Sequence, residues 1–135
     1  MYTYDRFLFI QPSQLPGAGK GLFTKVFIPR KAFVIEHKGR VTTWDAVKHD
    51  IDNAYLFYVN RHHILDAKPY TKALGRYAND ASGTAQVPGL ENNCRYVVAS
   101  GKVYIKATRD IPAGSEILVY YGPGYWEQEK KNRSV

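Results

Sequence analysis

The sequence predicts a mainly-β fold of several small sheets with few short helices. Short runs of aromatic and β-branched residues recur, each closed by Gly, Pro or Asn, as half-buried strands ending in turns are. No long stretch carries the apolar repeat of an amphipathic helix. Ser100-Gly101-Lys102 separates two of the runs, and a glycine there can take the positive φ that a tight hairpin turn needs.

In chain order, strands are expected at 7–10, 22–27, 33–37, 55–59, 63–65, 95–99, 103–107 and 116–120. Phe7 to Ile10 is an unbroken apolar run, and the run from Leu22 follows three closely spaced glycines. Thr43 can cap a short helix reaching about Asp50, and a terminal helix over 125–132 would carry Trp126 on one side. From Asn79 to Asn93 the composition turns to Ser, Gly, Thr, Gln, Pro and Asn, which reads as a loop of the length that commonly serves function. The runs at 95–99 and 103–107 form the hairpin.

The 135 residues suit one domain and show no repeat or linker to divide them, so any site is assembled within one core. The expected unit is 1–135, with a core of about 15–126 and a short extension over 127–135. No run approaches the roughly 18 apolar residues of a membrane span. Phe7 to Ile10 is too short for a secretory hydrophobic region. Cys94 is the single cysteine, so no internal disulfide forms, and a cytoplasmic location is the expectation. A net charge of +7 favours acidic neighbours or nucleic acid, yet the charges are scattered and only Lys130-Lys131-Asn132-Arg133 forms a run. Such scatter reads first as a solvated basic face.

Gly17-Ala18-Gly19-Lys20-Gly21-Leu22 lets main-chain N–H groups approach a polar ligand closely, or is simply a turn. It lacks the ending of a phosphate-binding loop, and a strand rather than a helix follows. His37, His49, His62 and His63 have no metal-ligand spacing with each other or with Cys94, so no metal is expected. Cys94, at a strand start, reads as a packed small side chain. Eleven tyrosines are the notable excess. Tyr120-Tyr121 before Gly122-Pro123-Gly124-Tyr125-Trp126 is either packing or part of an aromatic channel whose ring faces attract an ammonium group.

Four segments, in order, resemble the SET-domain lysine methyltransferases from about Leu15 to Trp126. Ala18 to Lys25 resembles the family's N-terminal glycine motif, and Lys38-Gly39 its aromatic-x-Gly motif. Leu65-Asp66-Ala67 through Leu74-Gly75-Arg76-Tyr77-Ala78-Asn79-Asp80-Ala81-Ser82 is similar to the stretch ending in Arg-x-x-Asn-His-Ser. Arg109 to Gly122 resembles the Asp-Ile-x-x-Gly-x-Glu-x-x-x-x-Tyr-Gly ending. The chain departs from the pattern at three places. Asp80 stands where the family usually has His, His37 where an aromatic residue precedes x-Gly, and Tyr120 where Asp is common. The zinc modules flanking many relatives are absent from these residues.

The resemblance implies a β-clip-like fold with a knot-like C-terminal threading, and S-adenosylmethionine as the cofactor. Lys20, Gly21, Leu22, Asn79, the main chain of Asp80 and Trp126 would bind it. Tyr55, Tyr96 and Tyr121 would line a lysine channel, with Tyr121 catalytic. Asn93-Cys94-Arg95-Tyr96 resembles the family's Asn-Cys-x-Tyr, so the Tyr96 hydroxyl is expected to hold addition to one methyl group. The implied partner is a protein bearing a lysine, a histone-like tail or another charged segment. Nucleic acid is met only indirectly, no membrane is involved, and a homodimer is compatible with so small a version. Nuclear or chromatin association follows if the source is eukaryotic or viral. Two rivals remain at this point: a SET-like peptide-binding module whose departures have abolished turnover, and a small nucleic-acid-binding β domain.

Overall fold

The structure is a computed structural model that describes residues 2–49, 56–60, 62–66, 68–69, 72–82 and 86–121, with Val59 and Asn60 by their main chain alone. Nine strands are described: β1 (Leu8–Pro12), β2 (Lys20–Thr24), β3 (Phe33–Glu36), β4 (Arg40–Thr42), β5 (Leu56–Asn60), β6 (His63–Asp66), β7 (Cys94–Ala99), β8 (Lys102–Ala107) and β9 (Val119–Tyr120). They form a hairpin of β1 and β2, a sheet ordered β3-β8-β7-β9, and a sheet ordered β4-β6-β5. The helical elements are short: α1 (Trp44–Val47) and 3-10 turns at Asp5–Phe7 and Leu74–Tyr77. The expected mainly-β class of small sheets is what the chain adopts.

The β7–β8 hairpin turns through Ser100 and Gly101, with φ of 52° and 75°. Positive φ at both central residues gives the twist that matches the flanking strands. Thr43 caps α1, its Oγ1 accepting from the Ala46 N–H at 3.4 Å. The helix ends at Val47 rather than near residue 50, and the proposed helix over 125–132 lies outside the described residues.

Other differences have local causes. β2 stops at Thr24 instead of residue 27 because the Thr24 hydroxyl donates to the Val26 carbonyl at 2.8 Å and accepts from its N–H at 3.2 Å. That side chain replaces the ladder with a tight turn. β4 is an addition to the expected strands. Val41 at its centre is 63% exposed, so no buried apolar alternation marked it.

The expected strand at 116–120 pairs as a strand only over Val119–Tyr120, because the segment passes from one partner to the next. Glu116 bridges Phe23, Leu118 bridges Asn79 in parallel, and β9 then runs parallel to β7, with Val119 opposite Cys94. The Val119 N–H donates to the Asn79 carbonyl at 2.8 Å, while the Leu118 carbonyl accepts from Asn93 and Cys94. The segment Glu116–Tyr120 is thus laid between two earlier segments. Ile117, Leu118 and Val119 are all buried there. Ile117 and Val119 join the core with Leu22, Ile28, Val34, Ile105 and Ile111.

Candidate active site

Where this threaded segment meets the glycine loop, a cavity of about 320 Å³ opens. Its size is that of a small-molecule site. Ala18 and Lys20 come from the loop into β2, and Arg76 to Asn79 from the 3-10 turn and the residues after it. His37 follows β3, Leu56 and Phe57 belong to β5, Tyr96 to β7, and Tyr121 follows β9. Segments far apart in sequence therefore build one wall.

The glycines make this wall possible for two different reasons. Gly17 and Gly19 have φ of 73° and 72°, turning the chain so that the Gly19 carbonyl accepts from the Ser13 N–H at 2.8 Å. Gly21 is needed for space. A Cβ there would lie 2.5 Å from Glu116 Oε2 and 3.1 Å from Ser13 Cα. Glu116 is 2% exposed, and its carboxylate accepts from the Ser13 hydroxyl at 2.7 Å and the Gln14 N–H at 2.9 Å. Asn79 Nδ2 donates to the Lys20 carbonyl at 3.0 Å and reaches Glu116 Oε2 at 3.5 Å. Glu116 therefore ties the glycine loop and Asn79 together by charge-assisted bonds. Its place in the Gly-x-Glu ending was visible in the sequence, but its burial was not.

Tyr121 is held at both ends by the Asn79 segment. Its hydroxyl donates to the Ala78 carbonyl at 2.7 Å, and its N–H donates to Asp80 Oδ2 at 2.9 Å. With the hydroxyl proton used in this way, the oxygen's lone pairs are what it offers a ligand. His37, Phe57 and Tyr96 form a ring cluster beside the cavity. Phe57 and Tyr96 centroids are 4.7 Å apart, and His37 and Tyr96 5.2 Å, in edge-to-face pairs. Burial lowers the His37 pKa from 6.5 to about 4, against the opposing pull of a hydrogen bond to the Gly75 main chain. The ring is neutral at physiological pH. Among the described residues, its Nδ1 finds no hydrogen-bond partner.

Of the residues singled out from the sequence, Lys20, Asn79, Tyr96 and Tyr121 meet at this cavity. Gly21 lies beside it under Glu116. Leu22 is fully buried in the core, so only its main chain can face a ligand. Asp80 is buried behind the wall, its carboxylate occupied by protein donors. Tyr55 and Trp126 lie outside the described residues. Cys94 is buried in the core, and burial pushes its thiol pKa well up, the opposite of a reactive thiolate. Among the described residues no group of three or more His, Cys, Asp or Glu is placed to hold a metal ion.

Small sheets around a threaded C-terminal segment, with the cavity at the threading, define a mainly-β domain that builds its site from residues around 20, 79 and 121. The SET-domain family model matches residues 19–122, and the chain belongs to the SET-domain family. SET domains are in general protein-lysine methyltransferases and in general use S-adenosylmethionine. A comparison with curated proteins returns no match.

Proposed function

We propose that the protein transfers a methyl group from S-adenosylmethionine to a lysine side chain of a protein substrate. The observation that carries this reading is the convergence of Lys20, Asn79 and Tyr121 on one cavity, with the Tyr121 hydroxyl anchored to the Ala78 carbonyl at 2.7 Å.

The donor set fits the cofactor. The Lys20 ammonium suits its carboxylate. Asn79 Nδ2 is engaged by the Lys20 carbonyl and Glu116, which leaves the amide oxygen to accept from the α-ammonium. Lys20 and Asn79 would hold the cofactor, which would supply an electrophilic methyl group for the lysine nitrogen, the electron pair of the carbon–sulfur bond going to sulfur.

The chain's own part is to orient and desolvate. The substrate ammonium, of ordinary pKa about 10.4, must first give a proton to water. Apolar walls such as Phe57 and Leu56 favour the neutral amine. His37, held neutral, adds no positive charge to oppose a cationic substrate. The Tyr121 oxygen accepts weak contacts from the amine and the polarised methyl, aligning the two. Tyr96, packed on Phe57 in the cavity wall, would narrow the lysine's path, and one methyl group is the expected extent of modification.

Calorimetric titration of S-adenosylmethionine, paired with tritium transfer to core histones as a lysine-rich probe, tests the proposal. Micromolar binding and transfer that falls at least tenfold in Tyr121→Phe are expected. Binding of the cofactor with no transfer to histones or a lysine-peptide library would favour the peptide-binding reading, because His37, Asp80 and Tyr120 depart from the family pattern.

A further inference from the structure

We propose that Asp80 is the positioning residue for Tyr121: its carboxylate latches the main chain just after β9, so that the phenol stays aimed at the reacting atoms. The proposal rests on the reading above that Tyr121 aligns amine and methyl group.

Asp80 is 4% exposed. Its Oδ1 accepts from the Ser82 N–H at 2.8 Å, the Ser82 hydroxyl at 2.6 Å and Asn92 Nδ2 at 2.8 Å, while Oδ2 accepts from the Tyr121 N–H at 2.9 Å. These donors belong to three stretches: the turn after Asn79, the loop before β7, and the end of the threaded segment. Asn92 closes the set, its Oδ1 accepting from the Ala81 N–H at 2.8 Å. Four donors converging on one side chain need an acceptor with several lone pairs and a negative charge, which a carboxylate has and a neutral imidazole lacks. At this position, then, Asp is an acceptor matched to its neighbours, not a degraded His.

The other end of Tyr121 is tied to the same stretch through the Ala78 carbonyl. Amide and hydroxyl are fixed to residues two apart, so the ring cannot swing unless 78–80 moves with it. Asn79, in the cavity wall, lies between the two anchors. Cofactor side and tyrosine side therefore keep one register.

Asp80→Asn keeps the shape but puts an NH₂ where an acceptor is required. The expected result is S-adenosylhomocysteine affinity within about twofold of wild type, with kcat for transfer to core histones lower by about ten- to a hundredfold, the effect of a misplaced reacting group. The Tyr121 amide proton, followed by NMR, should shift upfield and lose its slow exchange. In a Tyr121→Phe background the Asp80→Asn effect on kcat should shrink to about twofold or less, as coupled residues require. Wild-type kcat in Asp80→Asn overturns the proposal, and so does an equal loss with and without the Tyr121 hydroxyl. Should Asp80→Asn fail to fold, Ser82→Ala removes one donor while keeping the carboxylate. A shifted Tyr121 amide with reduced kcat then supports the latch, and an unmoved amide or unchanged kcat overturns it. If wild type binds no cofactor and transfers no methyl, the functional reading fails separately, and an unmoved Tyr121 amide in Asp80→Asn still overturns the latch.

Discussion

One added methyl group at Gly21 is expected to destabilise the protein and loosen its hold on cofactor together. An alanine Cβ would sit 2.5 Å from Glu116 Oε2, 3.1 Å from Glu116 Cδ and 3.1 Å from the Ser13 main chain. The backbone cannot retreat cheaply, because β1 and β2 are paired from Leu8 to Pro12. The buried carboxylate must therefore move off its bonds from Ser13 and Gln14. Overpacking costs about 1–3 kcal/mol, and a weakened bond to a charged group about 1.5–3 kcal/mol. A total near 3 kcal/mol lowers the melting temperature of a domain this size by roughly 10 °C. Gly101→Ala is the comparator, since its Cβ meets nothing within 4 Å and it isolates the cost of a positive φ, about 1 kcal/mol. Differential scanning fluorimetry of both variants, with and without S-adenosylhomocysteine, reads the result. A Gly21→Ala protein melting within about 2 °C of wild type would show that Glu116 gives way freely and does not tie the glycine loop to Asn79.

Three further outcomes are expected. Because burial holds His37 at about 4 against an ordinary 6.5, the unfolded chain binds a proton in that interval that the native protein does not. Stability is then full above about pH 6.5 and falls by roughly 3 kcal/mol as the pH drops to 4; urea melts should show this slope in wild type and lose it in His37→Phe. Cys94 should resist iodoacetamide for hours in the folded protein at pH 8 and react within minutes in guanidinium, as burial and a raised thiol pKa require, with fast native labelling counting against the packing. Tyr96→Phe should raise dimethyl-lysine roughly tenfold relative to the monomethyl product, as expected from losing a hydroxyl contact worth about 0.5–1.5 kcal/mol; a product ratio unchanged by mass spectrometry removes Tyr96 from that role.

What the sequence revealed was what depends on neighbours in the chain. The Ser100-Gly101 turn, the Thr43 cap and the glycines before β2 announce themselves because a local conformation demands those residue types. Leu22, read as a cofactor contact, packs its side chain in the core and leaves its main chain for that role, a division that the motif match does not display. The roles of Glu116 and Asp80 were hidden for the opposite reason. Each draws its partners from segments far away in sequence, Ser13 and Asn79 for one, Asn92 and Tyr121 for the other. A buried carboxylate and a solvated one look alike until those partners are placed. β4 escaped notice because its central Val41 faces solvent.

The parallel seating of β9 beside β7, with Leu118 bridged to Asn79, also sets an order of assembly. Hairpins such as β7–β8 close over two residues and can form early, whereas Asn79 must wait for a partner almost forty residues later in the chain. Long-range parallel pairings are the slow ones to close. Tyr121 reaches the Ala78 carbonyl only with that closure, so a chain in which β9 is not yet seated lacks the anchored tyrosine. Seating the Tyr121 phenol and completing the core are then one event.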